Sequence, residues 1–339
     1  MTHASIPQAS VAQSLPESSL AMLEELSISL LIPAYNEEMG IGNVIARFRQ
    51  ALPTAEIYVY DNNSIDSTAE VAHQLGAIVR QEPRQGKGYV VRRMFADIDA
   101  DIYILVDGDN TYDAKIAPTL VELLLHNGLD MINCARVPTT GTAYRPGHKL
   151  GNQLLSGIVR MIFGDNFKDM LSGYRVFSRR FVKSFPAMTT GFEIETELTI
   201  HALQLEMPAM EIPCHFQNRI EGSESKLKTF SDGFRILKTI ANLVRQEKPL
   251  ALFAGVGFIL SLLSLILAYP IIETYIEIGL VPRLPTAILS TGLMLGAFLS
   301  IACGLTLDTV TRGRHETKRL AYLSTRGILQ KLEQRGRDY

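Results

Sequence analysis

Two aspartates separated by one glycine, Asp107-Gly108-Asp109, stand directly behind the apolar run Ile104-Leu105-Val106. Carboxylates at the mouth of a buried strand are costly unless something cationic meets them. In extended chain, residues two apart project to the same side, so both carboxylates can face one ion. Gly108 removes the side chain that would block a bulky ligand there. Magnesium commonly takes one or two protein carboxylates and completes its shell with water and substrate phosphates. The arrangement thus points to a divalent ion, Mg2+ or Mn2+, carrying a diphosphate.

Elements must deliver those residues. Residues 27 to about 216 alternate short apolar strands with amphipathic helical patterns. Strands are expected at 27–32, 57–61, 77–80, 101–106 and 131–135, with helices at 41–52 and 66–76. Such alternation implies an α/β domain with a largely parallel sheet covered on both faces, and ligands bind beyond the carboxyl ends of its strands. The polar segments fall there: Pro33-Ala34-Tyr35-Asn36-Glu37 after strand one, Asp61-Asn62-Asn63-Ser64 after strand two, and Arg84-Gln85-Gly86-Lys87-Gly88 after strand three. Strand five is expected to lead into Arg136. Lys87, between two glycines, is either close to a donor phosphate or a surface lysine on a turn. Glu193 and Glu195 are either bases acting on a hydroxyl or hydrogen-bonded polar residues of a buried helix.

The remainder of the chain has a different solvent. The 339 residues carry a formal net charge of −2 and are 47% hydrophobic, and the mean hydropathy is +0.11. That balance argues against a dedicated nucleic-acid binder. Cys134, Cys214 and Cys303 show no ligand-like spacing, so neither a disulfide framework nor a zinc site is expected. Residues 250–269 and 287–307 contain no charged side chain, and each matches a hydrocarbon core of about 30 Å. Arg235, Lys238, Arg245 and Lys248 precede the first span; Arg312, Arg314, Lys318 and Arg319 follow the second. Positive charge stays on the cytoplasmic side. The expected topology is a two-pass inner-membrane protein with both termini and the catalytic domain in the cytoplasm. The expected divisions are a flexible tail at 1–26, a catalytic domain at 27–229, an interfacial amphipathic helix at 230–248, an external loop at 270–286 and a basic tail at 308–339.

The motifs 32–37, 61–68 and 107–109 resemble those of the family 2 glycosyltransferases, whose fold is GT-A. Asp169-Met170-Leu171-Ser172-Gly173-Tyr174-Arg175 and Gly222-Ser223-Glu224-Ser225-Lys226-Leu227 resemble the polyprenyl-phosphate branch, which includes dolichol-phosphate mannose synthases and bactoprenol glucosyltransferases. The resemblance covers residues 27 to about 248. It implies transfer of a sugar, with inversion, from a nucleotide-sugar donor to a polyprenyl phosphate in the lipid bilayer. By motif, Pro33, Ala34, Tyr35, Glu37, Asp61, Lys87 and Gly108 would hold the nucleotide, and Asp107 and Asp109 the metal. Arg136, Arg175, Arg219, Ser225 and Lys226 would meet phosphates of donor or acceptor, with Asp169, Ser172 and Gly173 bordering the acceptor; Asp169 and Arg136 join the aspartate pair as catalytic candidates. The second motif departs from the usual D-D-G-S: this chain has Asp61-Asn62-Asn63-Ser64.

A phosphomonoester has a second pKa near 6, so such an acceptor is already nucleophilic at neutral pH and needs little help from a base. Two rivals stand beside this reading. One is transfer to a hydroxyl-bearing lipid or glycan, although the chain has no Trp, the residue processive polymerases of the family use to bind product. The other is a non-catalytic nucleotide-sugar-binding scaffold. The sugar, the nucleotide and a homo-oligomeric state are left open.

Overall fold

The computed structural model describes residues 26–138, 157, 167–191, 193–217, 242, 245–328 and 330. Arg219, Ser225 and Lys226, nearly all of the expected tail and most of the expected interfacial helix lie outside the described residues. The chain divides into two compact units, residues 1–232 with 318–339, and residues 233–317.

The first unit is an α/β domain built on one mixed sheet. Its strands are β1 (Ile28–Ala34), β2 (Glu56–Asp61), β3 (Ile78–Gln81), β4 (Ile102–Leu105), β5 (Met131–Pro138), β6 (Arg175–Ser178) and β7 (Ala209–Phe216). Their order is β3-β2-β1-β4-β6-β5-β7. All neighbours run parallel except β6, which is antiparallel to both β4 and β5. β1 and β4 are buried nearly throughout, as strands covered on both faces must be. The helices are α1 (Glu38–Ala51), α2 (Thr68–Gln74), α3 (Lys87–Asp97), α4 (Ala117–His126), α5 (Arg179–Ser184) and α6 (Ile194–Gln204). α1 shows why a helix forms here: Ile41, Val44, Ile45 and Phe48 recur at three- and four-residue spacing and are buried together.

Three sequence expectations need correction. β5 runs three residues further than expected, so Arg136 lies within a strand, in register with Cys214, and not in the loop beyond it. Leu26, placed in the tail, is buried in the core. The basic tail after residue 308 is not a separate segment either: the last helix continues to Ser324, and Ile328 beyond it is buried in the core of the first unit. There Lys318 Nζ donates to Gln204 Oε1 (2.7 Å), Tyr322 Oη to Asp130 Oδ2 (2.7 Å), and Arg180 covers the Tyr322 ring at 4.3 Å.

The second unit is a helical hairpin, α7 (Pro249–Ile278) and α8 (Leu284–Ser324, whose residues to Thr317 belong here). Both are long and apolar enough to cross a membrane, and only 11% and 17% of their most apolar windows are buried. Phe258, Ile266, Phe298 and Leu299 are all exposed, which a buried hairpin of a water-soluble protein would not allow. The turn is only 279–283, because both helices run past the apolar runs. The two helices meet along a heptad of mostly small buried residues: Gly257, Ser264 and Ile271 against Ser290, Ala297 and Gly304. Ser264 Oγ donates to Ser290 O (2.8 Å) and Ser290 Oγ to Ser264 O (2.9 Å). At the open end Arg314 Nη2 donates to Glu247 Oε1 (3.2 Å) and Thr311 Oγ1 to Gln246 O (3.1 Å).

Candidate active site

The carboxyl ends of β1, β2 and β4 carry the motif residues, and two glycines let them approach. A Cβ at Gly40, in the first turn of α1, would stand 2.8 Å from Gly108 O; the β1–α1 segment therefore packs on the acidic turn with no side chain between. That segment holds Tyr35, half-buried, and Glu37, 9% exposed. Ala34 is in register with Asp61 at the end of β2, and Glu37 N–H donates to Thr68 Oγ1 (2.8 Å).

The departure from D-D-G-S has a local explanation. Asn63 sits at φ +64°, the left-handed region that glycine or asparagine fills. The Asn62 amide is engaged within the fold: it donates to Glu82 O and Arg84 O (both 2.8 Å) and accepts from Gly86 N–H (2.7 Å). It ties the loop after β2 to the loop carrying Lys87.

Lys87 is a buried cation, not a surface lysine on a turn. Its Nζ lies 2.5 Å from Asp107 Oδ1 and 2.5 Å from Glu195 Oε1. Burial alone would lower its pKa, but the two carboxylates outweigh burial and hold it above the ordinary lysine value. The Glu195 pKa is raised as well, because burial outweighs the attraction of Lys87. The flanking glycines are a packing requirement. A Cβ on Gly86 or on Gly88 would overlap the carbonyl oxygens of Thr190 and Thr189 respectively, and Gly86 has φ +138°. The 188–189 segment is itself fixed by Glu197, which accepts from Met188 N–H, Thr189 N–H and Thr189 Oγ1.

Asp107 rests against Gly173, where a Cβ would overlap its carboxylate. Tyr112 joins the two motifs, since its hydroxyl accepts from Gly173 N–H (2.9 Å). Asp109 Oδ1 accepts from Thr111 Oγ1 (2.6 Å) and Thr111 N–H (3.2 Å). Next to it, Asn110 adopts φ +59° and its buried Oδ1 has no hydrogen-bond partner.

Asp169 and Arg136 form one unit. Arg136 Nε and N–H donate to Asp169 Oδ2 (2.7 and 3.0 Å), and Nη2 donates to Oδ1 (2.8 Å). Burial would raise the Asp169 pKa, but these bonds hold it below the usual carboxylate range. Asn133 Nδ2 donates to Asp169 O (2.8 Å), and Glu211 accepts from the N–H groups of Lys168 and Asp169, which fixes the turn.

One expected phosphate contact, Arg175, and one residue expected to border the acceptor, Ser172, are placed elsewhere. Arg175 is fully buried, and its guanidinium donates to Ser172 O, Met170 O and Thr199 Oγ1; burial lowers its pKa to about 10. Ser172 is also fully buried, with Oγ donating to Cys134 O (2.5 Å). Both brace the 169–173 turn from inside. Sequence reasoning missed Tyr112, Asn133 and Glu211 and left Glu195 undecided; each is an ordinary residue in its local stretch, identified only by a partner 36 or more positions away.

The comparisons place this geometry. Residues 29–185 match the model of the Glycosyl transferase family 2 family. Glycosyltransferase AglJ of Haloferax volcanii is 28% identical over 88% of this chain and 98% of its own length. A dolichyl-phosphate hexose transferase of the same organism is 26% identical over 65% of this chain and 95% of its own. Among solved structures, Mycobacterium tuberculosis glucosyl-3-phosphoglycerate synthase, bound to Mn2+, UDP and glucosyl-3-phosphoglycerate, superposes with a TM-score of 0.55 at 24% identity. That match covers 71% of this chain and 85% of that one and shows the GT-A fold. The acidic pair lies within the matched stretch, at the end of a central strand, and the chain is a hexosyltransferase of glycosyltransferase family 2.

Proposed function

We propose that this hexosyltransferase transfers a sugar from a nucleotide-sugar, of the UDP-glucose or GDP-mannose class, to a polyprenyl phosphate at the cytoplasmic face of a membrane. The observation that carries the reading is the Asp107–Asp109 pair beyond the carboxyl end of β4, with the Lys87 ammonium against Asp107, in a chain with an apolar hairpin.

The residues fit a divalent cation. All nearby donors are hard oxygens, suited to Mg2+ or Mn2+; Asn110 Oδ1 is buried without a partner, and Asp107 already attracts an ammonium at 2.5 Å. Among the described residues no group of three or more His, Cys, Asp or Glu is gathered for a metal, which suits a shell completed by the donor diphosphate. Asp107 and Asp109 would hold the ion; when bound it would act as a Lewis acid on the departing diphosphate. Pro33, Ala34, Tyr35, Glu37, Asp61 and Gly108 would line the nucleotide, and Lys87 would supply a fixed positive charge beside the diphosphate. Arg136, held rigid by Asp169, would orient the acceptor phosphate, with Arg219, Ser225 and Lys226 assisting. With its pKa depressed by Arg136, Asp169 is a poor proton acceptor and serves to position that arginine. The acceptor dianion supplies its own nucleophile, so alignment and charge stabilisation carry the rate, and a single displacement inverts the anomeric centre.

The relative named a dolichyl-phosphate hexose transferase supports a lipid-phosphate acceptor, and the flanking Lys and Arg residues support a cytoplasmic domain. The test incubates the purified chain with undecaprenyl phosphate, Mg2+ or Mn2+, and labelled UDP- and GDP-sugars. A mild-acid-labile, organic-soluble product from one donor is expected. Equal labelling of undecaprenol, or only water-soluble product, would transfer the case to a hydroxyl acceptor.

A further inference from the structure

Glu195 is unexplained by the site as described so far. It sits in the first turn of α6, 4% exposed, on a different element from any of the motif residues. One oxygen meets Lys87; the other, Oε2, is buried with no hydrogen-bond partner. A buried carboxylate with an orphaned oxygen is expensive to keep, yet the fold spends two close-packed glycines, Gly86 and Gly88, and the Glu197-pinned segment to hold Lys87 against it.

Charge arithmetic gives it a purpose. Lys87 is shared by two carboxylates, Asp107 and Glu195, at equal distances of 2.5 Å. A divalent cation arriving at Asp107 must compete with that ammonium. If Asp107 were its sole counter-ion, displacing Lys87 would strand a buried positive charge, at high cost. With Glu195 on its other side, the ammonium keeps a partner when Asp107 changes hands.

We infer that Glu195 is a positioning residue that acts through Lys87: it retains the ammonium when a divalent cation takes Asp107, so that Lys87 neutralises the site before loading and stands beside the diphosphate after it. The inference rests on the reading of Asp107 as a metal ligand. No bond is made or broken; one cation replaces another at a single carboxylate.

The test is Mn2+ binding followed by the free-ion EPR signal on the full chain, with Mn2+ alone as the probe. D107N should weaken binding at least about tenfold. K87M should tighten it about tenfold by removing the competitor. E195Q should weaken it by a similar factor, because Asp107 then becomes the lysine's only anionic partner. The double variant K87M/E195Q should bind like K87M, since Glu195 acts only through the lysine. An E195Q effect that persists undiminished in the K87M background, or parent-like binding in both single variants, overturns the inference while leaving the metal reading intact. Parent-like binding by D107N would instead remove the metal reading itself, and this inference with it. Should K87M fail to fold, E195D decides beside E195Q: it keeps the charge and should bind Mn2+ as the parent does, and weakening as severe as in E195Q overturns the inference.

Discussion

Arg136 and Asp169 meet side-on: Nε and Nη2 reach the two carboxylate oxygens at 2.7 and 2.8 Å, while the Arg136 N–H adds a third bond at 3.0 Å. The pair joins β5 to the turn before β6, across the one antiparallel intrusion in that part of the sheet. A paired, planar guanidinium is pre-organised for a phosphate, so the pair converts a flexible arginine into a fixed binding surface.

The same pair predicts an acid limb in stability. Asp169 is held below its ordinary value by Arg136. A depressed carboxylate contributes stability that is fully present above its unfolded-state value, about 3.9, and that is lost as pH falls through the lower folded value. D169N removes this dependence. Urea midpoints measured from pH 7 down to pH 2.5 should fall less steeply for D169N than for the parent, although D169N starts lower at pH 7. Parallel curves would mean that Asp169 carries no depressed titration.

His201 predicts a second, separable limb. It is buried between Phe181 and Phe185, with Nε2 3.0 Å from Ser184 Oγ, and burial followed by the charge of Lys318 lowers its pKa to about 3. A histidine kept neutral by the fold destabilises it once the unfolded chain prefers the proton. Its contribution is complete above about pH 6.5 and is lost as pH falls toward 3. His201→Leu should flatten the stability profile between pH 6 and pH 4, above the range in which Asp169 acts. A profile that keeps the parent's slope in that interval would show another group to be responsible.

Gly173 predicts a steric lesion aimed at one atom group. A Cβ there has no room beside the Asp107 carboxylate, so G173A must turn that side chain or shift the 169–173 turn. A displacement of about 1 Å at a reacting centre can cost on the order of 100-fold. Sugar transfer by G173A should fall by at least that factor, with a modest drop in melting temperature. Activity within about threefold of the parent would mean that the Asp107 position is not critical. The comparison variant is G292A, since Gly292 has open space around the added atom and should change little.

Much of this was legible in the chain. β1, β2 and β4 were readable because strands buried on both faces are continuous apolar runs, and the motif residues were readable because strand ends in such sheets are where ligands bind. β6 was not. Arg175-Val176-Phe177-Ser178 is four residues long, opens on a charge and begins at the last residue of the 169–175 motif. Burying Arg175 defies the usual rule for arginine; Ser172 O and Met170 O of the preceding turn and Thr199 Oγ1 of α6 make it tolerable, and a hydropathy pattern does not show a turn folding its carbonyls back onto a guanidinium. Lys87 shows the same limit. The Gly-Lys-Gly sequence leaves a donor-facing lysine and a surface turn equally open, and only the approach of Thr189 and Thr190 reveals that the glycines serve burial. Helix ends in the hairpin were underestimated because an apolar window measures the hydrocarbon stretch, whereas the helices run on into polar sequence at Asp308 and beyond.

The hairpin offers a prediction that does not depend on catalysis. Ser264 and Ser290 exchange hydrogen bonds with each other's carbonyl oxygens at 2.8 and 2.9 Å, flanked by Gly257 and Gly304, whose added Cβ atoms would press on Ile301 and Phe253 at 2.9 Å. In hydrocarbon, helices associate through close packing and such bonds, because apolar side chains gain nothing by leaving lipid. A serine hydroxyl in this setting is worth about 0.6–2 kcal/mol. S264A and S290A should each lower the unfolding temperature of the detergent-solubilised chain slightly, and the double variant should cost less than their sum because the two sites share partners. G257L and G304L, which force the helices apart, should destabilise far more than either serine change. Strict additivity of the serine variants, or tolerance of both leucines, would show that the two helices do not pack along this seam.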